Sequence, residues 1–415
     1  MVNKLAMGLQ WGDEAKGKIV DVLTDDDETE AVVRYQGGAN AGHTIVRNGQ
    51  VFKLRVIPSG VFHGDKICVI GNYCAFNPIV FAKEVKGLND RGIVVNPRNL
   101  FVSNLANITT RYQLKMDELT SAGVGTTNQG IGPTYSDKRF RVGALVDDFL
   151  HHDRLEERVH KMAALHDPFL KSRGIDINPA DVVEELKRMG EFVTPYIRKD
   201  LQKFVLEHDG GLLFEGAQGG MLDCDLGSYD MVTSSNTTIG AVFIGTGTYV
   251  EIPVRIGVVK AYNTRVGNGP HPTEISGEMA DRIRERGDEY GTVTRRPRRI
   301  GNLDLCVVDW TIKTSGINQI CLSRLDILDQ EPVLQICIGY ELNGEKVDYF
   351  PVTELGSCKP IYVTVDGWMT DTTKARKESD LPRNARIYKE RIEEHLHVPI
   401  KFIGVGADSK QMIFV

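Results

Sequence analysis

The chain has no apolar run near the roughly eighteen residues that cross a bilayer, which excludes a transmembrane helix. Its opening stretch, MVNKLAMGLQWGDE, meets acidic residues at once and lacks a signal-peptide cleavage pattern. The seven cysteines (68, 74, 224, 306, 321, 337 and 358) contain no C-x-x-C pair. Most lie in apolar runs such as KICVI and LQICIGY, so the sequence predicts buried free thiols in a reducing cytoplasm rather than disulfides or zinc. An excess of positive charge is missing too. Lys and Arg number 50 against 56 Asp and Glu, a net charge of −6, which argues against nucleic acid as a main partner. There is no internal repeat, no low-complexity segment and no linker rich in Pro or Ser. The 415 residues therefore read as one domain, 1–415, with a mostly helical insertion at about 105–210.

What is present begins with QWGDEAKGK (10–18), between a short apolar run and the helical pattern KIVDVLTD. From Gly12 it has the glycine, four residues, Gly17-Lys18 spacing of a phosphate-binding loop, but with Ile19 where that loop carries Ser or Thr. The absent hydroxyl is the one that holds magnesium in P-loop enzymes. Asp13 and Glu14 sit inside the loop, where a phosphate cradle ordinarily avoids negative charge, so Asp13 reads as a replacement metal ligand or as a base. A strand-to-helix turn that happens to be rich in Gly and Lys would have the same spacing. A second glycine-rich loop, GGANAGHT (37–44), adds Asn40, His43 and Thr44.

The order of elements predicts an α/β fold: a large, mostly parallel central sheet with flanking helices and sites along one edge. Strands are expected at Leu5–Leu9, AVVRY (31–35), KICVIG (66–71), NLFVS (99–103), GGLLFEGAQGG (210–220), VRIGVVKAY (254–262) and INQICLS, with further strands at VLQICIGYEL, KPIYVTV and PIKFIGVG. Helices are expected at about 16–24, 78–92 and 381–396, and Asn48-Gly49 between alternating segments predicts a tight hairpin. The interleaved charges of the 108–208 region read as solvated helix faces.

Two further stretches carry chemistry. CLSRLDIL ends an apolar strand in S-R-L-D, similar to the element that reads guanine in GTP-binding proteins. The Asp326 carboxylate accepts from guanine N1–H and its 2-amino group, and adenine offers no such donor pair, so GTP is the expected nucleotide. Arg324 supplies a plane that stacks on a base. GTVTRRPRRIG (291–301) packs four arginines into residues 295–299, a bidentate reader of carboxylate and phosphate without the interleaved aromatics of a nucleic-acid surface.

QWGDEAKGK, GGANAGHT, EGAQG, VTSSNTT, KAYNTRVGNGP and the arginine loop together closely resemble the adenylosuccinate synthetase family, over nearly the whole chain. The resemblance implies a P-loop-like GTP-binding architecture and a GTP- and Mg²⁺-dependent ligase that joins L-aspartate to C6 of inosine monophosphate (IMP) through a 6-phosphoryl intermediate. It also implies a cytoplasmic homodimer that binds neither nucleic acid nor membrane. Asp13 and His43 are the implied catalytic pair, and Asp13 and the Gly42 carbonyl the implied metal ligands. GTP is expected at Gly12, Glu14, Ala15, Lys16, Gly17, Lys18, Gly42, His43, Thr44, Arg298, Arg324, Leu325, Asp326, Gly404, Val405 and Gly406. IMP is expected at Asp13, Lys16, Asn40, Ala41, Gly42, His43, Thr127, Gln218, Thr233 and Arg296, with Arg141 (Arg139 as the alternative) reaching across a dimer to the nucleotide phosphate. The substrate aspartate is expected at Thr292, Val293, Thr294, Arg296 and Arg298.

The chain departs from the family pattern in places. Ala15 replaces a loop glycine, Ala39 a frequent histidine, Asn302 a tryptophan and Val293 a threonine, and the RFRVG stretch is about four residues short. Two other readings stay open on this ground: the same reaction on GMP or dGMP, and a GTP-binding regulatory relative without catalysis. Relatives acting on guanylate tend to lose the loop aspartate, so Asp13 favours inosinate, and intact Asp13, His43 and arginine loop speak against a non-catalytic protein.

Overall fold

The strand Lys4–Gly8 is buried along its whole length, as a continuous apolar run covered on both faces requires. It lies between Val254–Lys260 and Leu212–Gly219 and is parallel to both. The computed structural model describes the chain except for residues 121, 122, 124, 209 and 292–295. Among the described residues the main sheet has 11 strands. Its order is Met412–Phe414, Ile400–Gly404, Gln319–Ser323, Val254–Lys260, Lys4–Gly8, Leu212–Gly219, Ala31–Gly38, Ile67–Phe76, Leu100–Ser103 and Ile197–Arg198, with Asn107–Ile108 also on Ile67–Phe76. Every pairing is parallel except that of the last strand, Met412–Phe414.

Side chains alternate between two cores, one on each face of this sheet. Leu5, Ala31 and Leu212 enter one, while their neighbours Ala6, Val32 and Leu213 enter the other, the two-residue period of a strand. The helix Lys16–Thr24 follows the first strand directly. The hairpin forms as expected. His43–Arg47 pairs antiparallel with Gln50–Leu54, and Asn48 (φ 49°) and Gly49 (φ 76°) supply the two left-handed residues of a primed turn. Helices Arg111–Thr120, Ile131–Phe140, His152–Ser172, Pro179–Val193 and Leu201–Glu207 occupy the stretch read as an insertion.

Two features of the strands go beyond the sequence reading. VLQICIGYEL and KPIYVTV (strands Val333–Leu342 and Lys359–Asp366) do not join the main sheet; they pair antiparallel in a separate four-stranded sheet with Leu303–Asp304 and Glu345–Lys346. Val333 and Gln335 alternate as exposed residues with buried Leu334 and Ile336 in the first strand, the pattern of a one-faced antiparallel sheet. The edge strand Met412–Phe414 was not anticipated, because three residues carry no readable period.

A parallel sheet brings the C-terminal ends of its strands to one edge. The loops after Lys4–Gly8, Ala31–Gly38, Gln319–Ser323 and Ile400–Gly404 therefore converge, although they lie up to 400 residues apart in the chain.

Candidate active site

The phosphate loop is shaped by a buried carboxylate. Glu14 accepts from the backbone N–H of Gln10 (3.1 Å) and Gly12 (2.8 Å) through Oε1, and from Lys16 Nζ (2.6 Å) through Oε2. It fits because Gly8 and Gly219 have no side chain; a Cβ on either would collide with this carboxylate. Glu14, read from the sequence as a GTP contact, thus turns its side chain under the loop and away from the cavity wall.

Curling around Glu14 puts Gly12 (φ 88°), Asp13 (φ 61°) and Ala15 (φ 69°) in the left-handed region. That conformation costs a non-glycine residue about 1–2 kcal/mol, part of which glycine loses again through its freer unfolded state. Ala15→Gly should therefore stabilise the ligand-free protein by about 0.5–1 kcal/mol, read from its urea midpoint. A lower midpoint would mean that the alanine methyl packs more favourably than its backbone is strained.

The converging loops enclose a cavity of about 1080 Å³. Its wall includes Gly12, Asp13, Ala15, Lys16, Gly17 and Lys18 from the first loop, and Asn40, Ala41, Gly42, His43 and Thr44 from the second. Thr127, Gln218, Thr233, Arg298, Arg324, Asp326, Gly404 and Gly406 complete the set that the sequence pointed to. Leu325 and Val405 are fully buried behind that wall. Arg141 and Arg296 are exposed and do not line it. Thr292, Val293 and Thr294 lie outside the described residues.

Asp326 lines the cavity, and its Oδ1 is buried without a hydrogen-bond partner, an acceptor that the ligand-free fold leaves unused. Beside it, Lys18 Nζ donates to the carbonyls of Gly406 (2.8 Å) and Gln411 (2.8 Å), and Arg324 donates to the Gly287 carbonyl (2.6 Å). Elsewhere on the wall, Asn40 Oδ1 and Gln218 Oε1 are also buried and unpartnered, and Asn40 Nδ2 lies 3.5 Å from Thr233 Oγ1. Burial pushes the Asp326 carboxyl up to about 6, against the pull of Arg324 and Lys18. Once protonated, Asp326 presents a donor to donors, and kcat/KM reports the free enzyme. kcat/KM for GTP should therefore fall with decreasing pH through about 6, with KM for the monophosphate much less affected. Parallel loss for both nucleotides across pH 5–7.5 would remove Asp326 from guanine reading.

His43 lines the same cavity, and the sequence alone gives it no partner. Its Nδ1 pairs with Glu215 Oε1, and Glu215 also accepts from Ser59 Oγ (2.7 Å) and the Ser59 N–H (2.7 Å). Burial would raise the Glu215 carboxyl, but His43, Arg34 and Ser59 hold it down at about 2. An ionised Glu215 can only accept, so Nδ1 carries a proton and Nε2 is the ring nitrogen left for substrate. Glu215 lies within the quoted EGAQG motif, where a reader looking for a counter-ion could have found it.

Asp13 has a partner as well. Arg298 Nε lies 2.9 Å from Asp13 Oδ2, and the same guanidinium reaches Glu289 Oε2 (2.6 Å). Glu289 is wholly buried and also accepts from Lys260 Nζ (2.9 Å) and Tyr262 OH (2.5 Å), with Arg324 at 3.7 Å. It ties the arginine loop to the strand end carrying Arg324, and nothing in the local sequence marks it. Asp13 and Gly42 both line the cavity, the one bringing a carboxylate and the other a backbone carbonyl. Hard oxygen donors of this kind suit Mg²⁺, so the residues present fit that ion.

The adenylosuccinate synthetase family profile matches residues 5–413. The chain belongs to the adenylosuccinate synthetase family. The adenylosuccinate synthetases of Ligilactobacillus salivarius and Geobacillus kaustophilus are 43% and 42% identical to it over 99% of this chain, covering 97% and 98% of their own lengths. The fully ligated adenylosuccinate synthetase of Plasmodium falciparum superposes with a TM-score of 0.92 at 33% identity, covering 100% of this chain and 99% of its own. A cyanophage S-2L succinoaminodeoxyadenylate synthetase bound to dGMP and dATP shares the fold, with a TM-score of 0.64 at 18% identity over 100% of this chain and 95% of its own. As a family member the protein is a GTP-dependent ligase of purine biosynthesis that uses Mg²⁺, with IMP and L-aspartate as the expected substrates, and the family is typically dimeric. No helix among the described residues is long and apolar enough to cross a membrane.

Proposed function

We propose that Asp13 removes the N1 proton of IMP and that His43, steadied by Glu215, donates to the phosphate oxygens as the purine 6-oxygen attacks the γ-phosphate of GTP. A 6-oxo purine is a poor leaving site for an amine. Deprotonation makes O6 nucleophilic, phosphorylation turns it into a leaving group, and the aspartate amine then displaces phosphate at C6. The observation that carries this reading is one cavity holding Asp13, the Glu215-backed His43, and three unpartnered buried acceptors at Asn40, Gln218 and Asp326. Asn40, Gln218 and Thr233 are assigned to the monophosphate, and Lys18, Arg324, Asp326, Gly404 and Gly406 to GTP. Asp13 and the Gly42 carbonyl are the residues that would hold Mg²⁺, which supplies charge neutralisation to the transferring phosphoryl group.

In the ligand-free chain Arg298 neutralises Asp13. Anionic substrates compete for that guanidinium, so their arrival frees the Asp13 carboxylate when it is needed as a base. Arg296 and Arg298 are assigned to the aspartate carboxylates, with 292–294 beside them in sequence. We take the whole chain, helical stretch included, as one domain working in the cytoplasm. The test is phosphate release by purified protein with GTP, Mg²⁺ and L-aspartate, offered IMP, GMP and dGMP separately. Turnover with IMP alone is expected; equal turnover with either guanylate would overturn the acceptor assignment.

Arg141 ends the helix Ile131–Phe140, exposed and off this chain's cavity, and in this reading it serves the site of a second subunit. Arg141→Ala and Asp13→Asn homodimers should each be nearly inactive. Random re-pairing of equal amounts makes half the dimers mixed, each with one intact site, and should restore about a quarter of wild-type activity. No recovery after verified subunit exchange would place Arg141 within its own chain's chemistry or give the role to Arg139.

A further inference from the structure

We infer that Cys306, Cys337 and Asp304 form a binding site for a soft divalent metal ion of the zinc class, separate from the substrate cavity. The three are brought together by fold rather than by spacing. Asp304 ends the short strand Leu303–Asp304 and stands opposite Cys337 in the parallel register with Val333–Leu342. The helix Leu305–Ser315 starts there, and Cys306 lies in its first turn. One ligand atom from each residue, two sulfurs and a carboxylate oxygen, lies within 4.8 Å of the other two. A tetrahedral zinc site spaces its donors about 3.3–3.8 Å apart, so side-chain adjustments of about 1 Å complete the trio and leave the fourth position to water.

The chemistry of the set selects the ion. Two thiolates favour zinc-class metals over Mg²⁺, which prefers oxygen alone, so this site and the substrate site do not compete for one cation. Asp304 is wholly buried, and its carboxylate accepts from the Tyr340 hydroxyl and the Val307 N–H, neither of them cationic. A divalent ion supplies the missing charge and releases the thiol protons to solvent as it binds. Cys337 and Asp304 are buried while Cys306 is half-exposed, which gives an entry side. Tyr340 OH donates to Asp304 Oδ2 (2.6 Å), the kind of outer contact that fixes a ligating carboxylate.

The experiment uses the full chain, reduced and stripped of metal, titrated with Cd²⁺ as a spectroscopically visible zinc-class probe. One equivalent per chain should raise a thiolate-to-metal charge-transfer band that Zn²⁺ displaces. Mapping alkylation by mass spectrometry should show Cys306 protected by metal and Cys337 remaining unmodified. Cys306→Ser should abolish the band while ligase activity in the absence of Cd²⁺ persists. Tyr340→Phe, which keeps the ring and both thiols, should weaken binding by about 10–100-fold. The proposal fails if no saturable band appears. It also fails if the band survives in the Cys306→Ser, Cys337→Ser double variant, if protection maps to Cys224 or Cys358 instead, or if Tyr340→Phe binds as tightly as the native chain.

Discussion

Asp13→Asn should lower kcat by at least about 100-fold and leave a folded protein that still binds GTP. The carboxylate is the one acid in the phosphate loop that faces the cavity, since Glu14 beside it is consumed by loop amides and Lys16. Asparagine keeps the size and tolerates the left-handed backbone that position 13 adopts (φ 61°), so the loop keeps its shape. What it loses is the base and a charged metal ligand. Arg298 loses one anion but keeps Glu289 at 2.6 Å, so no buried guanidinium is stranded. Proton abstraction by a positioned carboxylate is worth about 10²–10⁴-fold, and the lost metal contact adds to that. The measurement is steady-state phosphate release together with GTP binding by calorimetry. Turnover within tenfold of wild type would end Asp13's role as base.

Glu215→Gln should be nearly as damaging, although Glu215 does not line the cavity. Its carboxylate, held at about 2, stays ionised at every working pH and sustains the proton on His43 Nδ1. Burial pushes the His43 imidazole below its ordinary value, and the Glu215 charge is the main force in the other direction. With glutamine there, desolvation goes unopposed and the imidazole falls further, so the imidazolium that would donate from Nε2 to developing phosphate charge loses its counter-ion and becomes harder to form. A loss of about 10²–10⁴-fold in kcat is expected, with KM for IMP and GTP changed far less. Stability should fall as well, because Arg34 is buried with both terminal nitrogens lacking hydrogen-bond partners and draws on the same carboxylate. Breaking one partner of a buried ion pair costs about 3–5 kcal/mol, so circular dichroism must first show a folded variant. In folded protein, a kcat within tenfold of wild type, or a loss confined to KM, would show that Glu215 is structural only.

Much of this protein is legible in its sequence, for a physical reason. A phosphate-loop spacing, the S-R-L-D strand end and an Asn-Gly hairpin are made by contiguous residues, so their spacing encodes their shape. The helix at 16–24 and the hairpin around Asn48-Gly49 form where spacing alone put them. The strand ends carrying Asn40, His43, Arg324, Asp326 and Gly404 meet because parallel strands bring their C-terminal ends to one edge, which the alternation of strands and helices already implied. Tertiary structure decided everything that depends on which buried charge meets which. Glu215 lies 172 positions from His43, Glu289 joins Lys260 to Arg298, and Arg298 lies on Asp13, and no local pattern says which of these charges meets which. Burial demands a counter-charge but leaves its address to the packing. The same holds for Cys306 and Cys337, scattered thiols by spacing and neighbours only once Leu303–Asp304 lies beside Val333–Leu342. Strand pairing across the chain is a long-range choice, and it is made by which faces bury together, information that no window of residues contains.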